Sequence, residues 1–197
     1  MHLYQSTFII ECKSIFRNRI RLKGDGLPIT YQDSIERLAN KKENFVYDNE
    51  SADHAAIVLS NMLRTTEREF FSFSGKFNGA VSDQENLLYQ LHLYVESGKL
   101  FNLLLEELPE IGERSAALTM LLEHSEKHDN VRVKVASSRF IQYIENIFDG
   151  ERLHFSTSDS RAYRLETDTE AFQAVCNFNG PSVAEPLKNI IQNEILN

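Results

Sequence analysis

Residues 150–179 read GERLHFSTSDSRAYRLETDTEAFQAVCNFN, and the fold of the chain is decided there. Two short β-runs, Leu153 to Thr157 and Ala162 to Glu166, are joined by the turn-forming Ser158-Asp159-Ser160. A polar connection follows, then the triplet Asn177-Phe178-Asn179. The closing helix is predicted over Pro181 to Leu196, with Pro181 near its start and Val183, Leu187, Ile190, Ile191 and Ile195 along one side.

Upstream, the pattern is regular from Ser51. A helix is predicted over Ser51 to Glu67, and Glu69 to Ser74 is a strand. Asn78-Gly79 supplies a turn. Ser82-Asp83-Gln84-Glu85 matches a capping box opening a helix that runs to about Ser97, where Gly98 ends it. Leu100 to Leu105 is a second apolar run, Glu110 to Glu123 a helix, Val131 to Ala136 an alternating strand and Ser138 to Phe148 another helix. Strands separated by helices of this length imply right-handed crossovers. The expected fold is therefore α/β, a mixed and mainly parallel sheet sandwiched by helices. Residues 1–48 form a helical N-terminal extension to a domain spanning 51–197. In that extension Phe8, Ile9, Cys12, Ile15, Phe16 and Ile20 recur at helical spacing over residues 6–22, and a shorter helix is predicted from Ser34 to Asn40.

At 197 residues and 42% hydrophobic content the chain is long enough to bury a substantial core. No window approaches the roughly 18 consecutive apolar residues of a membrane span. The N-terminus carries its charges after its short apolar run, the reverse of a secretory signal, so a cytoplasmic protein with no membrane partner is expected. Cys12 and Cys176 stand far apart, which fits buried free thiols better than a disulfide framework or a cysteine zinc site. A net charge of −8 argues against a surface that grips nucleic acid as a whole. A local patch at Lys13, Arg17, Arg19, Arg21 and Lys23 is the candidate nucleic-acid surface, the alternative being the solvated face of a helix.

The order of elements, ending in paired strands and a terminal helix, resembles one half of a phospholipase D superfamily protein over about residues 51–197. Arg152-Leu153-His154-Phe155-Ser156-Thr157-Ser158-Asp159 lines up with the family's signature of His, any residue, Lys, four residues, Asp, and Asn177-Phe178 with the Asn-Phe that follows it. Arg152 then stands where the nucleophilic His belongs and His154 where the Lys belongs. Ala174 and Val175 occupy positions usually filled by Gly and Ser. The resemblance implies metal-independent phosphodiester exchange, in which one His attacks phosphorus, a second protonates the leaving oxygen, and Lys and Asn hold the phosphate. Such work needs two imidazoles, one neutral and one charged, and a single-motif chain acquires the second by forming a homodimer about a two-fold axis. Arg cannot attack phosphorus or donate a proton near neutrality.

The function implied is a catalytically inactive, phospholipase D-like module without cofactor or metal. It binds an anionic phosphate or nucleic-acid ligand, or a partner protein, as an accessory part of a bacterial nucleic-acid-processing or phage-defence system. Its phosphate-binding residues would be Arg152, His154, Asn177 and Asn179. The rival is an active metal-independent phosphodiesterase or nuclease using His154, as the catalytic residue, from two protomers. Each residue has a bland reading beside this one: a partly buried strand histidine for His154, a surface ion pair for Arg152, a turn for Asp159, and ties in the loop before the last helix for Asn177 and Asn179. His124 and His128 stand four apart without completing a zinc signature, and Ser74-Gly75-Lys76 lacks the glycine spacing of a nucleotide loop.

Overall fold

The computed structural model describes residues 30–196; the helix expected over 6–22 and the Lys13 to Lys23 patch lie outside them. Helix α1 (Tyr31–Lys41) opens on a capping box, the Thr30 hydroxyl accepting the Asp33 amide while the Asp33 carboxylate takes the Thr30 amide. There follow β1 (Tyr47–Asn49), α2 (Ala52–Thr65), β2 (Glu69–Ser74), the single turn α3 (Gly79–Ser82), α4 (Glu85–Glu96) and β3 (Leu100–Leu105). The chain continues through α5 (Ala116–Ser125), β4 (Val131–Val135), α6 (Ser138–Ile147), β5 (Phe155–Ser158), β6 (Ala162–Asp168), β7 (Gln173–Asn177) and α7 (Pro181–Leu196).

Among the described residues the strands form one seven-stranded sheet in the order β1-β7-β6-β5-β2-β3-β4. This is an α/β fold with helices on both faces, but the sheet is mixed and not mainly parallel. Among the described residues only β2–β3 and β3–β4 run parallel, whereas β5 lies antiparallel to β2 and β5, β6, β7 and β1 form an antiparallel half. The reason is connection length. Helices α4 and α5 span the crossovers that parallel neighbours require, while the short links before β6 and β7 can only turn the chain back. Strand β7 falls within the connection that read as polar, because Gln173–Asn177 offers Val175 as its single β-branched residue.

Two helix starts also differ from expectation. The Ser82 hydroxyl donates to the Asn78 carbonyl inside α3, and α4 begins at Glu85 without a side-chain cap. Asp83 instead accepts the amides of Ala116 and Ala117, so α5 starts there, next to its own cap Ser115, while Ile111–Glu113 makes a 3-10 turn. A carboxylate on those otherwise orphaned amides satisfies two donors and the helix dipole together.

The core is split by the sheet. On one face Phe70, Phe101, Leu103, Leu105, Ala162 and Ala174 pack with residues of α1, α2, α4 and α5. On the other, Phe71, Phe73, Tyr163, Leu165 and Val175 meet Ile144 of α6 and Val183, Leu187 and Ile191 of α7. Among the described residues no helix is long and apolar enough to cross a membrane.

Candidate functional site

Alternation along the β5–β6 hairpin sets the site. Phe155 pairs with Leu165 and Ser156 with Arg164, so Phe155 and Leu165 turn toward α6 and α7 while His154, Ser156, Arg164 and Glu166 turn toward α2 and α4. Strand β2 adds Ser72, whose hydroxyl lies 2.9 Å from that of Ser156. Glu106 follows directly on β3.

These groups form a continuous chain of charge. The His154 imidazole lies between two carboxylates, Nδ1 2.9 Å from Glu166 and Nε2 3.2 Å from Glu106. The other Glu166 oxygen accepts from Arg164 at 2.8 Å, and Arg164 Nε donates to Asn49 of β1, also at 2.8 Å. A third guanidinium donor reaches the Phe172 carbonyl at 3.0 Å, which also accepts from the Asn49 amide at 2.8 Å. Burial by itself pushes the His154 pKa down, but hydrogen bonds and charge from Glu106 and Glu166 prevail and raise it to about 9. Burial likewise pushes Glu166 up and is overcome by His154 and Arg164, leaving it below the usual carboxylate range. The hydrogen bond from His154 holds Glu106 low against a smaller effect of burial. At neutral pH the chain is Glu⁻, His⁺, Glu⁻, Arg⁺, with no excess charge.

Over this floor lies a cavity of about 690 Å3. Its far wall is apolar, built from Leu59 and Leu63 of α2, Leu87 and Leu91 of α4, and Phe70 and Phe101 of the sheet. It opens beside the exposed Lys76, Asn78 and Glu170, between the loop after β2 and the loop before β7. Each loop contributes a phenylalanine with left-handed backbone, Phe77 at φ 56° and Phe172 at φ 56°. Gly75 approaches the imidazole so closely that a Cβ there would stand 3.2 Å from His154 Cε1.

The residues singled out in the sequence are dispersed. Arg152 is 56% exposed and donates from Nε to Glu145 of α6 at 2.6 Å; it does not line the cavity, though its charge acts on Glu106. The Asp159 carboxylate accepts the amides of Glu67, Arg68 and Glu69, tying the hairpin tip to the start of β2. That is five residues from His154, about 16 Å along a strand. Asn177 is buried at the same end, donating to Asn44 and accepting the Asn179 amide. It pairs with Tyr163, whereas the His154 carbonyl bonds the Glu166 amide, so some 10 Å of strand separates the two sites. The His124 and His128 rings lie 4.3 Å apart, tilted by 30°, and His124 bonds Asn130. Among the described residues no group of three or more His, Cys, Asp or Glu is placed to hold a metal.

Glu106, Arg164 and Glu166 were missed in the sequence. Their signal was present in part: period-two alternation in Ala162-Tyr163-Arg164-Leu165-Glu166 places Arg164 and Glu166 on the hairpin face that carries His154.

No family model matches the chain, and no curated protein matches it. Among solved structures, TrmBL2, an archaeal chromatin protein whose structure shows a novel mode of DNA binding, superposes with a TM-score of 0.49 at 12% identity, over 93% of this chain and 60% of its own. A phosphatidylserine synthase from Haemophilus influenzae superposes with a TM-score of 0.40 at 12% identity, over 76% of this chain and 37% of its own. The chain thus spans less than two thirds of either protein, and likeness at this level carries no statement about its chemistry.

Proposed function

We propose that the protein is a binding module of phospholipase D-like design in which phosphodiester chemistry has been lost. The observation that supports this most is the state of His154. A histidine that attacks phosphorus must begin neutral with a free ring nitrogen. Here both nitrogens are engaged by carboxylates, and the ring carries its proton through neutral pH. The motif's other groups support the same reading, since Arg152 is occupied by Glu145, and Asp159 and Asn177 hold loops at the far end of the hairpin.

A phosphate or nucleic-acid ligand, on this reading, meets Arg152 and the Lys13 to Lys23 segment. The half-buried His154 and the buried Arg164 are already matched by Glu106 and Glu166, and drawing either away would leave a carboxylate without its cation. The homodimer belongs to the same reading; the edge strand β4, with Val135 exposed, is the surface we assign to it.

The test is a cleavage and binding assay with labelled single- and double-stranded DNA and RNA, in chelator and across a salt series. No turnover is expected, and any binding should weaken steeply with salt and fall in Arg152→Ala. Turnover that persists in chelator and disappears in His154→Ala would overturn the reading and make His154 a catalytic residue.

A further inference from the structure

We propose that the cavity over His154 and Arg164 is a second binding site, for an uncharged amphiphilic small molecule: an apolar chain or ring carrying one neutral hydrogen-bond-accepting head, such as a carboxamide or ester. Nothing in this depends on what the exposed cations bind. Three features of the site specify the ligand.

The first is size and lining. A cavity of about 690 Å3 lies within the range of small-molecule sites, and its wall of leucine and phenylalanine side chains favours an apolar body over a hydrated polyanion.

The second is the mouth. Phe77 and Phe172 both adopt a left-handed backbone that bulky side chains rarely take, and both line the cavity. Such strain persists only where surrounding structure over-determines it, and it concentrates at ligand clamps. For Phe172 the restraint is visible: its carbonyl accepts from both Asn49 and Arg164, so the guanidinium on the floor also holds the aromatic residue at the rim.

The third is the balance of donors and charge. Arg164 is 5% exposed as a side chain and lines the cavity. Of its five N–H groups, three have partners among the described residues, Asn49, Glu166 and the Phe172 carbonyl, which leaves two to donate. In the Ser72–Ser156 pair one hydroxyl donates to the other, so one proton is left over. The floor therefore has spare donors and wants an acceptor. It does not want a charge: Glu106, His154, Glu166 and Arg164 already sum to zero, and a buried ligand carboxylate would face Glu166 across the same guanidinium. An ammonium head would bring an unmatched positive charge to a floor whose two carboxylates are already matched by His154 and Arg164. A neutral acceptor satisfies the donors without leaving an ion unmatched.

A matched eight-carbon series tests this on the full chain: octanamide, octanoate and octylammonium, titrated calorimetrically at neutral pH and moderate salt. Octanamide is expected to bind at least tenfold more tightly than either ion. Leu91→Trp, which fills the cavity, should abolish the binding, and Ser72→Ala, which removes a hydroxyl and little volume, should weaken it severalfold while leaving the fold intact. Circular dichroism and melting of both variants separate loss of the site from loss of the protein. Equal or tighter binding of octanoate, no binding by any of the three, or undiminished octanamide binding in a folded Leu91→Trp would each overturn the proposal. A cleavage-active protein that still binds octanamide would sink the reading of the exposed motif and leave this site standing.

Discussion

The two faces of the sheet are made by the same strands and differ in every second residue. Toward α6 and α7, β2, β5, β6 and β7 present Phe71, Phe73, Phe155, Leu165 and Val175, and these meet Val183, Leu187 and Ile191 in a close apolar layer. Toward α2 and α4 the same strands present Ser72, Ser156, Arg164 and Glu166, and the helices stand off to leave the cavity. The backbone ladder is shared, so the contrast comes from side chains alone. Both faces contribute burial of apolar surface, at about 25 cal/mol per Å2, Phe70, Phe101 and Leu103 on the side of the cavity included. The face toward α2 and α4 also carries ions whose desolvation is offset only because each is matched, which gives up stability for a defined polar floor.

The largest expected effect comes from breaking the match. Glu166→Ala leaves His154 and Arg164 without their shared carboxylate and should cost about 3–5 kcal/mol in denaturant unfolding. A cost near 1 kcal/mol would mean that water reaches the floor and the charges are not buried as described.

Packing comes next. Leu165→Ala, in the filled layer, should cost about 3–4 kcal/mol, and Leu91→Ala, which already borders open space, about half that. Equal costs would erase the distinction between the faces.

The third effect sharpens the contrast through pH. His154 is raised from 6.5 to about 9 on folding, so the stability it contributes is fully present below pH 6.5 and drains away as pH rises through about 9. Glu166 and Glu106 are depressed below 4.5, so their share is present above that pH and is lost on further acidification. The network should therefore contribute most between about pH 4.5 and 6.5, and the alkaline loss should amount to about 3 kcal/mol. The check is unfolding free energy against pH: His154→Gln should flatten the alkaline limb, and an unchanged limb would place its origin elsewhere.

The bounds of β2 at Glu69–Ser74 and of α7 at Pro181–Leu196 were legible in the sequence, because a strand bounded by turn signals and a helix with proline in its first turn are local patterns. His154 was legible as a residue to watch. Its partners were not: Glu106 is 48 residues away and reaches the ring only because β3 ends beside the start of β5, across β2. The capping box read at Ser82 to Glu85 failed for the same reason, since its Asp83 caps a helix that begins 33 residues later. A motif read as a line, Arg152 to Asp159, assumes that neighbours in sequence serve one site, whereas a strand sends alternate side chains to opposite faces and sets Asp159 some 16 Å from His154.

By itself the sequence determined the succession of strands and helices from α2 to β6 and the closing helix, β1 and β7 excepted, together with the apolar stripes that bury them. These follow from propensities and periods that act within a few residues. Only the tertiary structure decided that β5 lies antiparallel beside β2, that Arg152 faces Glu145 at the surface, and that His154 is held charged between Glu106 and Glu166 beneath a cavity. Those outcomes depend on which distant segments can be buried together with every charge matched, and that condition is set over the whole assembled sheet.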